Sequence, residues 1–253
     1  MAESGKPVKI EKVRIDQLVT DLGIAPSKSV AQALIMSGKI KCDGQLTTKC
    51  GTKVSAASSV ELIAPPIPYV SRGGLKLEKA LNEFPVAVEN TVCIDAGAST
   101  GGFTDCLLQR GAAKVYAVDV GYGQISLKLR NDPRVVVIEK CNVRYLAEDQ
   151  VPEKADIITA DLSFISLDKV AQRLKGFLKP GGYVIPLVKP QFETERKHLK
   201  KGVVKDDGIR QKAVEKVENH FKEIGFEHVG TTRSPIEGPD GNVEFLCCFR
   251  LPS

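Results

Sequence analysis

The sequence has no long apolar run: no uninterrupted apolar stretch approaches the roughly 18 residues that a membrane-spanning helix needs. Its first twelve residues, MAESGKPVKIEK, lack the apolar core of a secretory signal peptide. The seven cysteines show neither a zinc-ligand spacing nor a disulfide framework, and several lie in apolar runs such as TVCIDAG and FLCCF. These absences lead us to expect a cytoplasmic protein in a reducing setting that has no membrane partner.

What is present is the composition of an ordinary globular protein, with 42% hydrophobic and 26% charged residues. A chain of 253 residues is long enough for one large domain or two smaller ones. The formal net charge of +5 permits an anionic partner without requiring one. Composition therefore bounds the class of protein but not its activity.

A proline-rich segment divides the chain. Residues 64–69 read APPIPY, and three prolines in six residues predict a stiff, extended linker. We therefore predict one domain over residues 1–63 and a second over residues 70–253.

The first segment has the pattern of a small α+β domain. Apolar residues at helical spacing in VRIDQLVTDLG predict a first helix, and Ser27 is placed to cap a second that ends at Gly38. Short strands follow in KIKCDGQ, with an Asp-Gly turn, and in SSVELI. The stretches RIDQLV, SKSVAQALIMSGKIKCDG and KCGTKV resemble the S4-type RNA-binding fold. That resemblance implies RNA contacts at Lys28, Lys39 and Lys41, although a solvated module whose lysines only maintain solubility remains the alternative.

The second segment alternates short β-branched runs with helical patterns. Strands are predicted in TVCIDAG, AKVYAVDVG, RVVVIEK, ADIITADLS and GYVIPLVK, with helices such as GGFTDCLLQRG and FISLDKVAQRLKGFLKPGG between them. This order predicts an α/β fold with a parallel sheet covered on both faces. Two further strands, FEHVGTTRS and NVEFLCCFR, close the chain. A closing antiparallel strand pair is typical of the class I (Rossmann-like) methyltransferase sheet.

A loop rich in small residues follows the first strand of this domain, in VCIDAGASTGGFT. It lacks the G-x-G-x-x-G pattern of dinucleotide-binding folds, which argues against a dehydrogenase. Asp119 ends the next strand, where its carboxylate can accept hydrogen bonds from ribose hydroxyls, and Asn142 can bond an adenine edge. Together these features resemble the S-adenosylmethionine site of FtsJ-like methyltransferases. The cofactor-binding residues that this resemblance implies are Asp95, Gly97, Ala98, Ser99, Thr100, Gly101, Gly102, Phe103, Asp119 and Asn142.

Four charged residues fall where the carboxyl edge of the sheet would collect them: Lys76, Asp161, Lys189 and Glu244. Ordinary surface ion pairs are the alternative explanation. Lys-Asp-Lys-Glu in this order resembles the catalytic tetrad of FtsJ-like ribose 2′-O-methyltransferases. Lys79 lies one helical turn beyond Lys76, and only the resemblance selects Lys76 over it.

Six ordered motifs extend the resemblance over nearly the whole chain from about residue 13. VSRGGLKL, IDAGASTGGFTD, AVDVGYGQ, DLSFISL, VKPQFE and SPIEGPDGNVEF are similar to those of the TlyA family, which joins an S4-type domain to an FtsJ-like methyltransferase domain. The resemblance implies S-adenosylmethionine-dependent methylation of ribose 2′-hydroxyls of cytidines in ribosomal RNA. It implies ribosomal RNA or ribosomal subunits as partners, and no metal.

The chemistry of the tetrad agrees with this expectation. A ribose 2′-hydroxyl is a poor nucleophile at neutral pH, whereas burial and a nearby cation lower a lysine's affinity for its proton. Lys189 is therefore expected to act as the base or to stabilise the developing alkoxide. Lys76 is expected to orient or activate the hydroxyl, and the two carboxylates to orient the ammonium groups. Residues 190–208 are a candidate lid.

Some alternatives stay open at this stage. Asn242 and Phe192 either line the pocket or pack inside the fold. The whole protein is either the enzyme described above or a non-catalytic factor for ribosome binding or assembly. A membrane-active haemolysin is a third, less favoured possibility, because no apolar span, amphipathic helix or secretion signal supports it.

Overall fold

The computed structural model describes residues 11–63, 67–238 and 240–253, which form two compact units that divide after Pro66. The first half of the predicted linker, residues 64–66, lies outside the described residues. Its second half is fastened to the second unit: the Pro68 carbonyl accepts from the Gln109 side chain at 2.9 Å, and the Tyr69 hydroxyl donates to Glu78 at 2.8 Å. In the part of the chain that is described, no helix is both long and apolar enough to cross a membrane.

The first unit packs two helices against two small sheets. One sheet has three antiparallel strands in the order β3-β2-β5, and β1 pairs with β4 in the other. A core that includes Ile15, Val19, Ile35 and Ile40 lies beneath the helices. The elements are β1 Lys12–Arg14, α1 Ile15–Asp21, α2 Lys28–Met36, β2 Ile40–Cys42, β3 Gln45–Thr47, β4 Lys53–Ser55 and β5 Val60–Leu62.

Two local predictions in this unit are confirmed. The Ser27 hydroxyl caps α2 by accepting from the backbone N–H of Val30. Asp43 and Gly44 form the two-residue turn between β2 and β3, both with positive φ (49° and 76°). Two consecutive left-handed residues define the turn type whose twist matches a tight hairpin.

The second unit is built on a seven-stranded sheet in the order β11-β12-β10-β9-β6-β7-β8. Strands β6 to β10 run parallel, and β12 is antiparallel to both of its neighbours. The predicted α/β sheet with its closing antiparallel pair is confirmed. Its strands are β6 Val92–Ala96, β7 Lys114–Val118, β8 Val135–Ile138, β9 Ala155–Ala160, β10 Leu178–Val188, β11 Glu227–Arg233 and β12 Phe245–Arg250.

Helices cover both faces of this sheet, and each face has its own apolar core. Adjacent side chains of β6 point to opposite faces of the sheet, so Cys93 belongs to one core and Ile94 to the other. Helices α3 and α4 contact each other on one face, whereas α6 and α8 contact each other on the opposite one. The helices are α3 Gly73–Glu83, α4 Gly102–Gln109, α5 Leu127–Arg130, α6 Asp168–Phe177, α7 Pro190–Glu193 and α8 Asp207–Glu223.

Several element boundaries differ from the sequence prediction. The helix predicted through LKPGG ends at Phe177, and β10 begins at Leu178, with an irregular register between Leu178 and Tyr183. Pro180 has no N–H and disfavours helical backbone in the residue before it, so the helix cannot continue there. Glu244 was predicted inside the last strand, but β12 begins only at Phe245.

Asp16 yields a test of the first unit's stability. Its buried carboxylate accepts two hydrogen bonds from Arg14, at 2.8 and 2.9 Å, and one from Gln32 at 2.9 Å. The bonds with Arg14 hold the pKa of Asp16 well below its usual range. A carboxyl group whose pKa is lowered by folding stabilises the folded state at pH values above its ordinary pKa. This stabilisation is lost as the pH falls from the ordinary pKa towards the lowered one.

We therefore expect Asp16→Ala to lower the free energy of unfolding of the first unit by about 1–3 kcal/mol at pH 7. The difference from the native protein should shrink below about pH 4, because the carboxylate of the unfolded chain then takes up a proton while the native carboxylate, with its lowered pKa, stays ionised. Amide hydrogen exchange across α1 and α2 measures the free energy of unfolding at neutral and at acidic pH. Asp21→Ala, at an exposed position of the same helix, is the control; an equal difference at pH 3 and pH 7 would contradict the account.

Candidate active site

Two ion pairs, each with a buried lysine, lie at the carboxyl edge of the sheet in the second unit. The Lys76 ammonium is 2.6 Å from the Glu244 carboxylate, with side chains 9% and 1% exposed. The Lys189 ammonium is 2.6 Å from the Asp161 carboxylate, with side chains 10% and 22% exposed. Buried charges are tolerated only when they are closely paired. The structure thus arranges the four predicted residues as two pairs.

The fold explains how residues so far apart in the chain meet. Asp161 directly follows β9, and Lys189 directly follows its parallel neighbour β10. Both side chains therefore emerge at the same edge of the sheet. Lys76 projects from α3, which contacts β12 on one face, and Glu244 directly precedes β12.

The structure also distinguishes the two lysines of α3. Lys76 is buried against Glu244, whereas Lys79 is exposed and pairs with Glu83 one turn along the same helix. An exposed pair at this spacing contributes little stability. Lys76 is thus the lysine of this helix that reaches the carboxyl edge.

The loop between β6 and α4 needs glycine for steric reasons. Gly97 has φ +86°, and a Cβ there would lie 2.3 Å from the carbonyl oxygen of Asp161. Gly102 has no room either, because its Cβ would lie 2.3 Å from the Ser71 hydroxyl. Only residues without side chains allow this loop to approach its neighbours so closely.

Two adjoining cavities open beside this loop. The first, of about 230 Å³, is lined by Lys76, Asp161 and Phe103, among others. The second, of about 670 Å³, is lined by Asp119 and Asn142, and by Asp161 again. Both cavities also share two residues of the glycine-rich loop, Gly97 and Ser99.

Asp119 and Asn142 face the larger cavity with part of their hydrogen-bonding capacity in use. The Asp119 carboxylate accepts from the backbone N–H groups of Ser99 at 2.8 Å and Gly121 at 2.7 Å. A carboxylate has about four acceptor positions, so two remain for a ligand diol. The Asn142 oxygen accepts from the Arg144 N–H at 3.0 Å, which leaves its amide N–H groups to donate.

Asp95, which the resemblance assigned to the cofactor, lies beneath the surface of the site. It is fully buried and lines neither of these cavities; its carboxylate accepts from the hydroxyls of Thr104 at 2.7 Å and Thr159 at 3.1 Å. Burial raises the pKa of Asp95 to about 6, against the effect of the two threonine hydroxyls. Its geometry supports a positioning role, because it joins β6 to α4 and β9.

Of the other predicted loop residues, some line a cavity and others fix the conformation of the loop. Ala98 and Thr100 line the smaller cavity. Ser99 has a positive φ of 49°, and its N–H is held by Asp119. Gly101 is the left-handed residue before α4, and a Cβ there would lie 2.2 Å from Leu129.

Sequence reasoning gave no role to Ser163 and Glu193. The Ser163 hydroxyl accepts from the Lys189 ammonium at 2.9 Å. Glu193, with a side chain 2% exposed, accepts from the Leu167 N–H at 2.8 Å and from the Ser166 hydroxyl. Glu193 therefore ties the segment after β10 to the loop after β9, which carries Asp161. A glutamate four residues after Lys189, at the end of the VKPQFE motif, was the available signal.

The sequence left the roles of Asn242 and Phe192 open, and the structure places the two side chains in different surroundings. Asn242 lines neither cavity: its oxygen accepts from the Val204 N–H at 3.1 Å, and its amide donates to the Gly202 carbonyl at 3.0 Å. The Phe192 ring packs 5.2 Å from that of Phe164. Phe164 is 91% exposed and has φ +63°, an uncommon conformation for an aromatic residue.

The lysines predicted for RNA contact lie in the first unit. Lys28 begins α2 and is exposed, Lys39 precedes β2, and Lys41 lies within β2. Ile40 and Cys42 face the core, so alternation along the strand turns Lys41 the other way. They stand on three different parts of this unit, and their role in RNA binding stays a prediction. Over residues 11–63, 67–238 and 240–253, no group of three or more His, Cys, Asp or Glu side chains has a metal-binding arrangement.

Comparisons with known proteins match both units of the chain. The profile of the FtsJ-like methyltransferase family matches residues 69–251, and that of the S4 domain matches residues 13–60. The chain is 44% identical over 241 residues to the 16S/23S rRNA (cytidine-2'-O)-methyltransferase TlyA of Mycobacterium tuberculosis, covering 94% of this chain and 90% of the relative. It is 43% identical over 242 residues to Hemolysin A of Brachyspira hyodysenteriae, covering 94% and 99%. A solved structure from Streptococcus thermophilus matches with a TM-score of 0.75 and 40% identity, covering 96% of this chain and 90% of that one.

The contacts of Glu193 lead to a prediction. Glu193→Ala removes the acceptor for the Leu167 N–H and the Ser166 hydroxyl, so amide exchange at Leu167 should rise by about tenfold or more. Glu195→Ala, which removes an exposed carboxylate paired with Lys197, is the matched control and should leave that exchange unchanged. Unaltered exchange in Glu193→Ala would show that the loop after β9 does not depend on this side chain.

Proposed function

The chain belongs to the family of FtsJ-like methyltransferases and carries an S4 domain, and on this basis we propose that it is an S-adenosylmethionine-dependent RNA methyltransferase. Its substrate is the ribose 2′-hydroxyl of cytidine in ribosomal RNA, the activity named for its Mycobacterium tuberculosis relative. The S4 domain and the relatives' names support ribosomal RNA or ribosomal subunits as partners. Seven free thiols fit a reducing, cytoplasmic setting.

One observation carries this proposal: the two lysine–carboxylate pairs, each with a buried lysine, adjoin the glycine-rich loop. Lys76 and Asp161 line the same small cavity as Gly97 and Ser99 of that loop. Lys189 lines neither cavity and is joined to this site through its ion pair with Asp161. A cofactor held by the loop and a substrate hydroxyl held between Lys76 and the Lys189–Asp161 pair would therefore meet at one place. Holding two reactants in the right geometry is a large part of the catalysis of group transfer.

The larger cavity suits S-adenosylmethionine in size and in chemistry. Asp119 would accept hydrogen bonds from the ribose hydroxyls, Asn142 would bond the adenine edge, and Gly97 would let the backbone come close. When bound, the cofactor supplies an electrophilic methyl group. Asp95, held by Thr104 and Thr159, would keep the loop in place without touching the ligand.

The lysines act on the substrate oxygen. Lys189 donates to Asp161 and to Ser163, and an ammonium has three donors, so one N–H remains to face a 2′-oxygen. Lys189 in its neutral form accepts the hydroxyl proton, and in its charged form it stabilises the developing alkoxide. Lys76, fixed by Glu244, orients the same hydroxyl.

The exposed ring of Phe164 suits an RNA substrate. It follows Asp161 by three residues and lines the larger cavity. Unstacked bases of single-stranded RNA are commonly held by stacking on aromatic side chains. Phe164 thus offers a surface for the base whose ribose is presented to Lys189.

Replacing Lys189 tests the proposed activity. Lys189→Ala should reduce methyl transfer to unmethylated ribosomal subunits by about 10²–10⁴-fold, because the group that handles the proton is removed. Reverse-transcription stops at 2′-O-methyl positions, compared with the native enzyme, measure the product directly. Binding of S-adenosylmethionine should persist in the variant.

Lys179→Ala is the matched control, since Lys179 lies in the same strand at its opposite end and is partly exposed. It should give the native methylation map. Identical maps for Lys189→Ala and the native enzyme would refute the catalytic assignment. A native protein that binds S-adenosylmethionine but methylates no ribosomal RNA would favour the non-catalytic assembly factor instead.

Gly97 tests the cofactor site separately. Gly97→Ala should weaken binding of S-adenosylmethionine by at least tenfold, because the new Cβ would overlap the Asp161 carbonyl and displace the loop. Isothermal titration measures the affinity. Gly123→Ala, at a similar φ of +69° but with open space around it, separates the cost of the backbone conformation from that of the overlap. Equal affinity losses in the two variants would contradict the steric explanation.

A further inference from the structure

A strongly basic segment, residues 196–205, follows the catalytic edge in the second unit. It reads RKHLKKGVVK: five lysines or arginines and one histidine in ten residues, with no acidic residue. We propose that this basic segment binds the phosphate backbone of the RNA substrate, as a contact surface additional to the S4 domain. The proposal rests on the function proposed above.

The basic side chains surround a cavity that is separate from the two at the candidate active site. It has a volume of about 410 Å³ and is lined by Lys197, His198, Lys200, Lys205, Asp206 and Ile209. Lys200 and Lys205 are exposed, and no carboxylate of the described residues lies within 4.0 Å of either ammonium group. These two cations are thus available to an anion.

The carboxylates of Glu195 and Asp206 do not neutralise the positive charge at this cavity. Lys197 pairs with Glu195 at 2.8 Å, but both side chains are about two-thirds or more exposed. Such surface pairs contribute little free energy, so a phosphate can replace the carboxylate. Asp206 is already used as the cap of α8, accepting from the Ile209 N–H at 3.0 Å.

The backbone of the basic segment is held in a defined shape. Lys200 and Val203 exchange two backbone hydrogen bonds, at 2.9 and 3.1 Å, around a turn in which Lys201 and Gly202 both have positive φ. A basic loop that served only solubility would need no such ordering, which costs conformational entropy. Pre-organised donors lose less entropy when they bind a ligand.

Two links connect this surface to the catalytic residues. Asn242, buried to 2% exposure, holds the turn through Gly202 and Val204, and it precedes Glu244 by only two residues. At the other end, α7 joins the segment to Lys189, seven residues before Arg196. RNA bound along the basic segment would therefore be placed relative to both ion pairs.

The chemistry of the surface favours a nucleic-acid backbone. Clustered lysines neutralise phosphates and release the counterions condensed on the nucleic acid, which makes binding depend steeply on salt. Lysines act as point charges with rotatable donors, so they fit a backbone without reading its sequence. The segment thus supplies affinity and register, and the identity of the nucleotide is read elsewhere.

The test compares two double variants of the full-length protein. Lys200→Gln with Lys205→Gln should weaken binding to unmethylated ribosomal subunits by about tenfold at about 0.15 M salt. The slope of log K against log salt should fall by about 1.4–1.8, which is about 0.7–0.9 for each phosphate that is no longer neutralised. In methylation assays the weaker binding should raise the KM for the subunits. The affinity for S-adenosylmethionine should be unchanged.

Lys169→Gln with Lys222→Gln removes the same charge from exposed positions on α6 and α8 and should retain the native slope. Lys200→Arg with Lys205→Arg should also retain it, because arginine preserves the positive charge. Equal reductions in affinity in the two glutamine variants, or a native slope in Lys200→Gln with Lys205→Gln, would overturn the proposal. Failure of the native protein to methylate any ribosomal RNA would count against the proposed function alone, since the difference in RNA binding is measured independently.

Discussion

Two ammonium groups held away from water are the constraint on which the methyltransferase unit depends. Lys76 and Lys189 are each about nine-tenths buried, and each lies 2.6 Å from one carboxylate. Removing such ions from water costs several kcal/mol each, and only a close, well-oriented partner offsets that cost. The partners come from Glu244 and Asp161, so α3, the ends of β9 and β10 and the start of β12 must all converge at one edge of the sheet. Because β12 runs antiparallel to its neighbours, the residue that precedes it, Glu244, lies at this edge.

Asp161 is the residue at which the proposed cofactor site and the proposed catalytic pairs meet. Its carboxylate holds Lys189, and its carbonyl oxygen lies so close to Gly97 that no side chain fits there. It also lines both cavities at the candidate active site. Glu193 holds the loop that follows Asp161, from the segment that follows Lys189. A small movement of this loop would disturb the lysine and the glycine-rich loop together.

Local features of the sequence predicted local structure well. The Ser27 cap and the Asp43–Gly44 turn are properties of a few adjacent residues, and both are present. Strand alternation and the resemblance to class I methyltransferases predicted the sheet with its antiparallel closure. The helix predicted through LKPGG was too long, because helical periodicity does not show where Pro180 stops it.

Long-range contacts were the part that sequence reasoning could not supply. Lys76 and Lys79 have the same chemistry and nearly the same helical face, and only packing against a residue 168 positions away separates them. Glu193 bonds to a backbone 26 residues earlier, and no periodicity encodes such a distance. Asp95 was predicted to bind the cofactor, whereas its hydrogen bonds to Thr104 and Thr159 join residues of three elements that only the fold brings together.

The central claim is that the two lysine–carboxylate pairs act as one catalytic unit on a single RNA hydroxyl. A double-mutant cycle in single-turnover methyl transfer to ribosomal subunits tests it most directly, using Lys76→Ala, Lys189→Ala and the combination. The account predicts that the double variant is no more than a few-fold slower than the slower single variant. Rate reductions that multiply in the double variant would show two independent contributions and would contradict the claim.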